Sequence, residues 1–248
     1  KENLMVQDKK NKILPDSKNF DLIILNGEGS MHDNPKKMIR YLEYMNSASE
    51  NKVTTMLVNS VWQNNSKYTT ELLNLIDYIS VREINSKNNI LNVIDKDISI
   101  NLDLSFFIDV PIVEYPKSKI VSGNKFLPKK EKEKFLNISE TSYIDIFEES
   151  WFEIVNKLRS ANLLVTGRHH EMYAACKAKC KFIILEGNTH KNSGLLNTFQ
   201  INIPTLPCNS SAEEIIDLIN NISYYEDEYN KLFKLMENEV SPNFMQIY

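Results

Sequence analysis

Short apolar runs alternate with helix-patterned stretches along most of this 248-residue chain, and that alternation leaves few architectures open. Residues 20–25, 53–58, 79–82, 98–104, 163–165 and 182–185 are runs of strand length. From Leu22 to Leu25 the first is continuously apolar, the mark of a parallel strand buried on both faces. Residues 67–78, 84–94, 151–160, 171–179, 190–199, 211–222 and 225–239 read as helices. Asp33-Asn34-Pro35 supplies an N-cap and first-turn proline for another, to about Ala48. Ser210 or Ser211 ahead of Glu213 and Glu214 is a capping-type start. Segments 135–138, 143–147 and 201–203 read as further short strands, and 128–134 as a charged loop or helix start. Strand–helix alternation means a mainly parallel α/β sheet with helices on its faces. The pattern breaks near 107–118, so we expect two Rossmann-like halves, 20–110 and 119–224. Before them, 1–19 is a polar arm or the remnant of a preceding unit. After them, 225–248 is a terminal helix and tail.

All four histidines fall in three turns that follow such runs. His32 closes Asn26-Gly27-Glu28-Gly29-Ser30-Met31-His32. His169 and His170 lie in Thr166-Gly167-Arg168-His169-His170, and His190 in Glu186-Gly187-Asn188-Thr189-His190-Lys191. Five of the six glycines lie in or beside the same turns. In an open α/β sheet, ligands bind past the carboxyl ends of the strands. These turns are therefore the expected site.

Composition narrows the chemistry. A formal net charge of -4 argues against nucleic acid as the main partner. Three cysteines, Cys176, Cys180 and Cys208, form no disulfide framework and fit a reducing compartment, so a cytoplasmic location is expected. Cys176 and Cys180 are four apart and read as helix packing. No run is long enough to span a bilayer, and there is no signal-peptide pattern. The sequence starts at Lys1, not Met, which we read as a removed upstream portion or a cut-out piece. Abundant Asn, Lys and Ile point to an AT-rich, bacterial genome. Dinucleotide and P-loop fingerprints, a serine-hydrolase elbow, His-Glu-x-x-His and paired-cysteine metal patterns are all absent. Neither cofactor nor metal is expected.

Each turn has a chemical and a structural reading. Arg168 adds a planar cationic fork to a helix N-terminus, which suits phosphate or carboxylate. A histidine beside it can exchange protons near neutral pH. His169 and His170 differ by about 100° around a helix, so one of them faces the ligand. Otherwise Arg168 pairs with a carboxylate and the histidines cap or pack. Arg82, in Ser80-Val81-Arg82-Glu83, is a second strand-end cation, or a structural ion-pair residue. Gly27 and Gly29 allow backbone to approach a ligand, with Glu28 and His32 as acid–base or hydroxyl-binding groups. The alternative is a tight turn with Glu28 as an acceptor. Asn188 and Lys191 extend another helix N-terminus, and Asp103 is a site carboxylate or a hinge anchor.

Together, Leu25-Asn26-Gly27-Glu28-Gly29-Ser30-Met31-His32, Ser80-Val81-Arg82-Glu83, Asp103, Thr166-Gly167-Arg168-His169-His170 and Lys191 resemble the polysaccharide pyruvyl transferase family, in the family's order. The resemblance implies a GT-B-like fold and transfer of the pyruvyl group of phosphoenolpyruvate onto two sugar hydroxyls as a ketal, in a cell-surface polysaccharide or its precursor. It places Arg82, Arg168 and His170 on the donor. Two departures stand out. Members commonly begin with a further strand–helix unit, so the amino-terminal half here is expected to be incomplete. The first turn also carries Glu28 where an all-glycine run is common. The expected roles are His170 as general acid–base, with Glu28 or His32 orienting the sugar hydroxyl. Arg82, Arg168, Lys191, Asp103, Gly27, Gly29, His169 and Asn188 are expected to bind substrate. Expected partners are phosphoenolpyruvate, a free, lipid-linked or polysaccharide sugar acceptor, and assembly machinery at the membrane's inner face. A nucleotide-sugar glycosyltransferase and a non-catalytic domain of a glycan-assembly protein are the alternative readings.

Overall fold

A computed structural model describes residues 14–122, 129–138, 141–145, 147–187 and 189–239. The chain divides into two compact units. Unit 1 comprises Lys1–Arg82 and Ser86–Asn101, and unit 2 comprises Glu83–Asn85 and Leu102–Tyr248.

Unit 1 contains strands β1 (Leu22–Glu28), β2 (Thr54–Ser60), β3 (Tyr78–Val81) and β4 (Ser99–Ile100), all parallel and in the order β1-β2-β3-β4. Helices α1 (Lys36–Glu50), α2 (Lys67–Glu71) and α3 (Ile84–Leu91) join them, the first two residues of α3 belonging with unit 2. Every step in this order goes the same way. Right-handed crossovers therefore bring the helices to one face of the sheet. One core forms there, from Met38, Leu42 and Met45 of α1, Ile90 of α3, Leu73 and Ile76, packed on Leu57, Ile79 and Val81. Parallel register sets Leu25 beside Leu57 and Glu28 beside Ser60. The apolar run of β1 predicts a strand flanked on both sides. Instead β1 is the edge strand among the described residues, Ile24 is 53% exposed, and an apolar groove of about 620 Å³ runs between β1 and α1.

The start of α1 differs from expectation. Pro35 is the N-cap and has no side chain to cap with. Asp33 and Asn34 instead adopt positive φ, 60° and 52°. Asn34 exchanges hydrogen bonds with the 64–66 turn, taking Ser66 N–H on its side-chain oxygen at 2.8 Å.

Unit 2 contains β5 (Ile120–Ser122), β6 (Thr141–Tyr143), β7 (Leu163–Thr166), β8 (Lys181–Leu185) and β9 (Thr205–Leu206) in the order β6-β5-β7-β8-β9, all parallel. The chain steps outward from β5 to β6, then returns across β5 to β7. This reversal puts helices on both faces and creates a topological switch point between β5 and β7. One face buries α5 (Trp151–Arg159), α6 (His169–Ala178) and α9 (Glu226–Glu237) around Ile154, Tyr173 and Leu232. The other packs Phe135 of α4 (Lys129–Ile138) with Ala212 and Ile215 of α8 (Ala212–Asn220). Helix α7 (Lys191–Thr198) joins β8 to β9. Ser150 with Glu153, and Ser211 with Glu214, form capping boxes at α5 and α8.

Three local expectations change here. Residues 135–138 belong to α4, because Phe135 continues an amphipathic helix into the core. The last strand is Thr205–Leu206 rather than 201–203, whose Ile201 and Ile203 are buried against the helical layer. Leu102, Phe106 and Val110 pack into the core of unit 2 instead of forming a connecting stretch. Among the described residues, no helix is long and apolar enough to cross a membrane.

Candidate active site

In unit 1 the carboxyl ends of β1, β2 and β3 converge on one buried cation. Arg82, 1% exposed, donates from Nε to the Asn59 side-chain oxygen at 2.8 Å and from Nη2 to Glu28. Glu28 Oε1 also accepts from the Asn26 and Asn59 amides, at 3.0 and 3.1 Å. Glu28 and Asn59 both have positive φ, 49° and 57°, so each strand turns sharply at the residue that meets the guanidinium. Gly27 is needed for packing. A Cβ there would lie 2.7 Å from Ser60 Cβ and 2.8 Å from Met31 Cγ. Gly29 lies in the following turn, closed by Ser30 N–H and Oγ donating to Gly27 O. His32 is held separately, its Nδ1 2.6 Å from Asp33 Oδ2. That hydrogen bond is the largest influence holding the Asp33 carboxyl below its ordinary range.

In unit 2 the switch point carries the turn between β7 and α6. Thr166 Oγ1 accepts Arg168 N–H at 2.9 Å and donates to the fully buried Glu171. Glu171 Oε1 lies 3.9 Å from Arg168 Nε. The two histidines part as their angular separation requires. His169 is buried, with its ring against Tyr173 at 4.8 Å and Nδ1 3.1 Å from Asn192 Oδ1. That corrects its expected binding role, since the core side of α6 has claimed it. His170 lies about 100° further round the helix, its ring 6.3 Å from that of His169, and is 40% exposed. Its Nε2 is 3.3 Å from Oδ2 of the buried Asp103. The other Asp103 oxygen accepts Ser105 N–H and Oγ–H, at 2.9 and 2.7 Å. Asp103 is thus fixed in direction by the turn it caps, with its second oxygen at ion-pair distance from the imidazole. A base held by a buried carboxylate is an acid–base arrangement.

A second imidazole–carboxylate pair lies at the start of α7. His190 Nε2 is 3.2 Å from Oε1 of the buried Glu83, whose Oε2 accepts Asn85 N–H at 2.6 Å. A Cβ at Gly194 would overlap Glu83 Oε2, so a side chain there would displace the Glu83 carboxylate from its place beside His190. Lys191 is the first residue of α7. Asn188 lies outside the described residues.

A family model described as polysaccharide pyruvyl transferase matches residues 3–189. The chain belongs to the polysaccharide pyruvyl transferase family. It is therefore a transferase of polysaccharide pyruvylation in the general sense. No curated protein matches its sequence. Among solved structures, it is similar to a functionally uncharacterized protein of Klebsiella pneumoniae, at 16% identity and a TM-score of 0.50, over 79% of this chain and 78% of that one. It is also similar to the glycotransferase of kitacinnamycin, at 9% identity and a TM-score of 0.55, over 89% and 72% of the two chains. These likenesses show the fold, two parallel α/β halves of GT-B-like type.

In this family member, sequence reasoning missed Asn59, Glu83, Glu171 and Asn192. Only Glu171 had a readable signal, three positions after Arg168 on a helix. Asn59 depends on strand register, and Glu83 on contacts with His190 and Gly194, more than 100 positions away. Arg82 carries a stability prediction. Arg82→Ala should lower the unfolding free energy by about 2–3 kcal/mol, because it empties a buried space and orphans Asn59 and Glu28. Glu28 is 46% exposed, which keeps the loss below that of a fully buried pair. Urea unfolding of the two proteins checks it, and equal midpoints would refute the structural role.

Proposed function

We propose that the chain transfers the pyruvyl group of phosphoenolpyruvate to two hydroxyls of a sugar in a polysaccharide or its precursor, forming a ketal. The observation that supports this most is the Asp103–His170 pair adjoining Arg168 at the switch point of unit 2. Arg168 and Lys191 bind the phosphate and carboxylate of the donor, where α6 and α7 begin. His170, oriented by Asp103, protonates the donor's methylene carbon. The first hydroxyl attacks the adjacent carbon and loses its proton to the same imidazole. Phosphate then leaves with the C–O bonding pair, generating an oxocarbenium ion, and the second hydroxyl attacks that carbon and gives its proton to the departing phosphate, closing the ketal. The chemistry calls for no metal. Arg82 is left out of this assignment, since Glu28 already serves as its anion.

Thermal unfolding with millimolar phosphoenolpyruvate, UDP, CMP or GDP tests the proposal. A ligand at 100 times its dissociation constant adds about 2.7 kcal/mol. Stabilisation by phosphoenolpyruvate, absent in Arg168→Ala, is the expected result. Stabilisation by a nucleotide alone would replace this reading with a glycosyltransferase.

A further inference from the structure

We propose that Phe147 is a positioning residue, whose ring holds the Arg168 guanidinium in the orientation that receives an anion. The anionic ligand rests on the function proposed above; the ring–guanidinium clamp does not. Phe147 is 73% exposed, so its ring adds little to the core. Yet its backbone is anchored firmly. Phe147 N–H donates to Asp145 Oδ1 at 3.0 Å. Asp145 O accepts Glu148 and Glu149 N–H at 3.0 and 2.8 Å, and Asp145 N–H donates back to Glu149 Oε1 at 3.0 Å. Glu149 is in turn paired with Lys157 of α5. On the near side, Ile144 is buried in the core of unit 2. Phe147 thus sits in a hydrogen-bonded turn just beyond β6.

At that place, the ring centroid is 4.4 Å from Arg168 Cζ. Arg168 is thus restrained by two partners of different kinds. Glu171 attracts its Nε edge, and its Cζ lies over the Phe147 ring. An arginine side chain loses considerable rotamer freedom on binding, and a planar fork must be aligned to bond an anion along its edge. A guanidinium held over the ring is restrained before the ligand arrives, with its N–H groups left to bond an anion. The ring also removes water from one side, which strengthens the field at the remaining donors.

The test combines a ligand-free and a ligand-bound measurement on the full chain. The Arg168 Nε–H signal in nitrogen-15 spectra is identified by its loss in Arg168→Lys. With the ring above the guanidinium, that proton is shielded, so Phe147→Leu should move it downfield and Phe147→Tyr should not. In calorimetric titrations with phosphoenolpyruvate, Phe147→Leu should weaken binding about two- to fivefold, the range of an exposed cation–π contact, with Phe147→Tyr restoring it. In turnover, the same change should appear in KM for the donor and leave kcat nearly constant. A signal that does not move in Phe147→Leu overturns the proposal, whatever binds. A signal that moves without any loss of affinity in a protein that binds phosphoenolpyruvate overturns it too. A wild-type protein that fails to bind phosphoenolpyruvate defeats the donor assignment instead, and the Arg168 signal then decides the clamp alone.

Discussion

His170→Ala is expected to lower turnover by about 10²- to 10⁴-fold, the loss typical of a removed general acid–base. The carbon–proton step of an enol phosphate has no other imidazole in position within unit 2's switch-point turn, because His169 points into the core. His170 is 40% exposed, so the truncation should leave the fold intact and the midpoint of thermal unfolding near that of the wild type. Asp103→Asn provides the companion result. An asparagine oxygen still accepts from Ser105 and keeps the turn capped, so only the charge facing His170 is lost. Its effect should be smaller than that of His170→Ala. Phosphate release from phosphoenolpyruvate in the presence of acceptor measures both. Full turnover by a folded His170→Ala protein would remove His170 from the mechanism.

Raising the pH should destabilise the protein steeply above about pH 9, the pH at which unfolded thiols ionise. Cys176 and Cys180 are buried side by side in the core of unit 2. Burial pushes both thiols up from the ordinary 9.0, Cys180 to about 12 and Cys176 further. Below pH 9 both states hold these protons and stability is unaffected. Above it, the unfolded chain releases them and the folded chain keeps them. Stability then falls by about 1.4 kcal/mol per pH unit for each thiol until the folded thiol ionises. At pH 10.5 the two together amount to about 4 kcal/mol, a large share of the stability of a typical domain. Tyr229 acts in the same direction from about pH 10, since its hydroxyl is buried and donates to Phe182 O. Urea unfolding at pH 8 and 10.5 checks the slope. Cys176→Ala with Cys180→Ala should flatten it, and a flat profile in the wild type would refute the account.

Much of the frame was legible from local patterning. Apolar runs at 53–58, 163–165 and 182–185 are strands in the fold, because a buried parallel strand needs little besides continuous apolar side chains. Ser211 with Glu214 announced a helix start through contacts three residues apart. The turn Thr166-Gly167-Arg168-His169-His170 stands at the switch point, since a strand followed directly by a helix leaves its turn at the sheet's carboxyl edge. The sequence also assigned the family, through short segments whose order is a one-dimensional property.

What each polar residue faces was settled only in three dimensions. Arg82 read as a ligand-binding cation or a structural ion-pair residue, and it lies buried against Glu28 and Asn59, partners 54 and 23 positions away. Register between parallel strands selects such partners, and it leaves no trace in local spacing. His169 and His170 are neighbours in the chain, but packing against Tyr173 took one and left the other to Asp103. Gly27 read as a place where backbone could approach a ligand or as part of a tight turn, and a Cβ there would crowd Ser60, while one at Gly194 would crowd Glu83. Composition and periodicity determined the strands, the helices and the edge where chemistry belongs, because those follow from local burial. Which charges meet at that edge was decided by tertiary structure, because ion pairs and hydrogen bonds depend on distances between residues far apart in the chain.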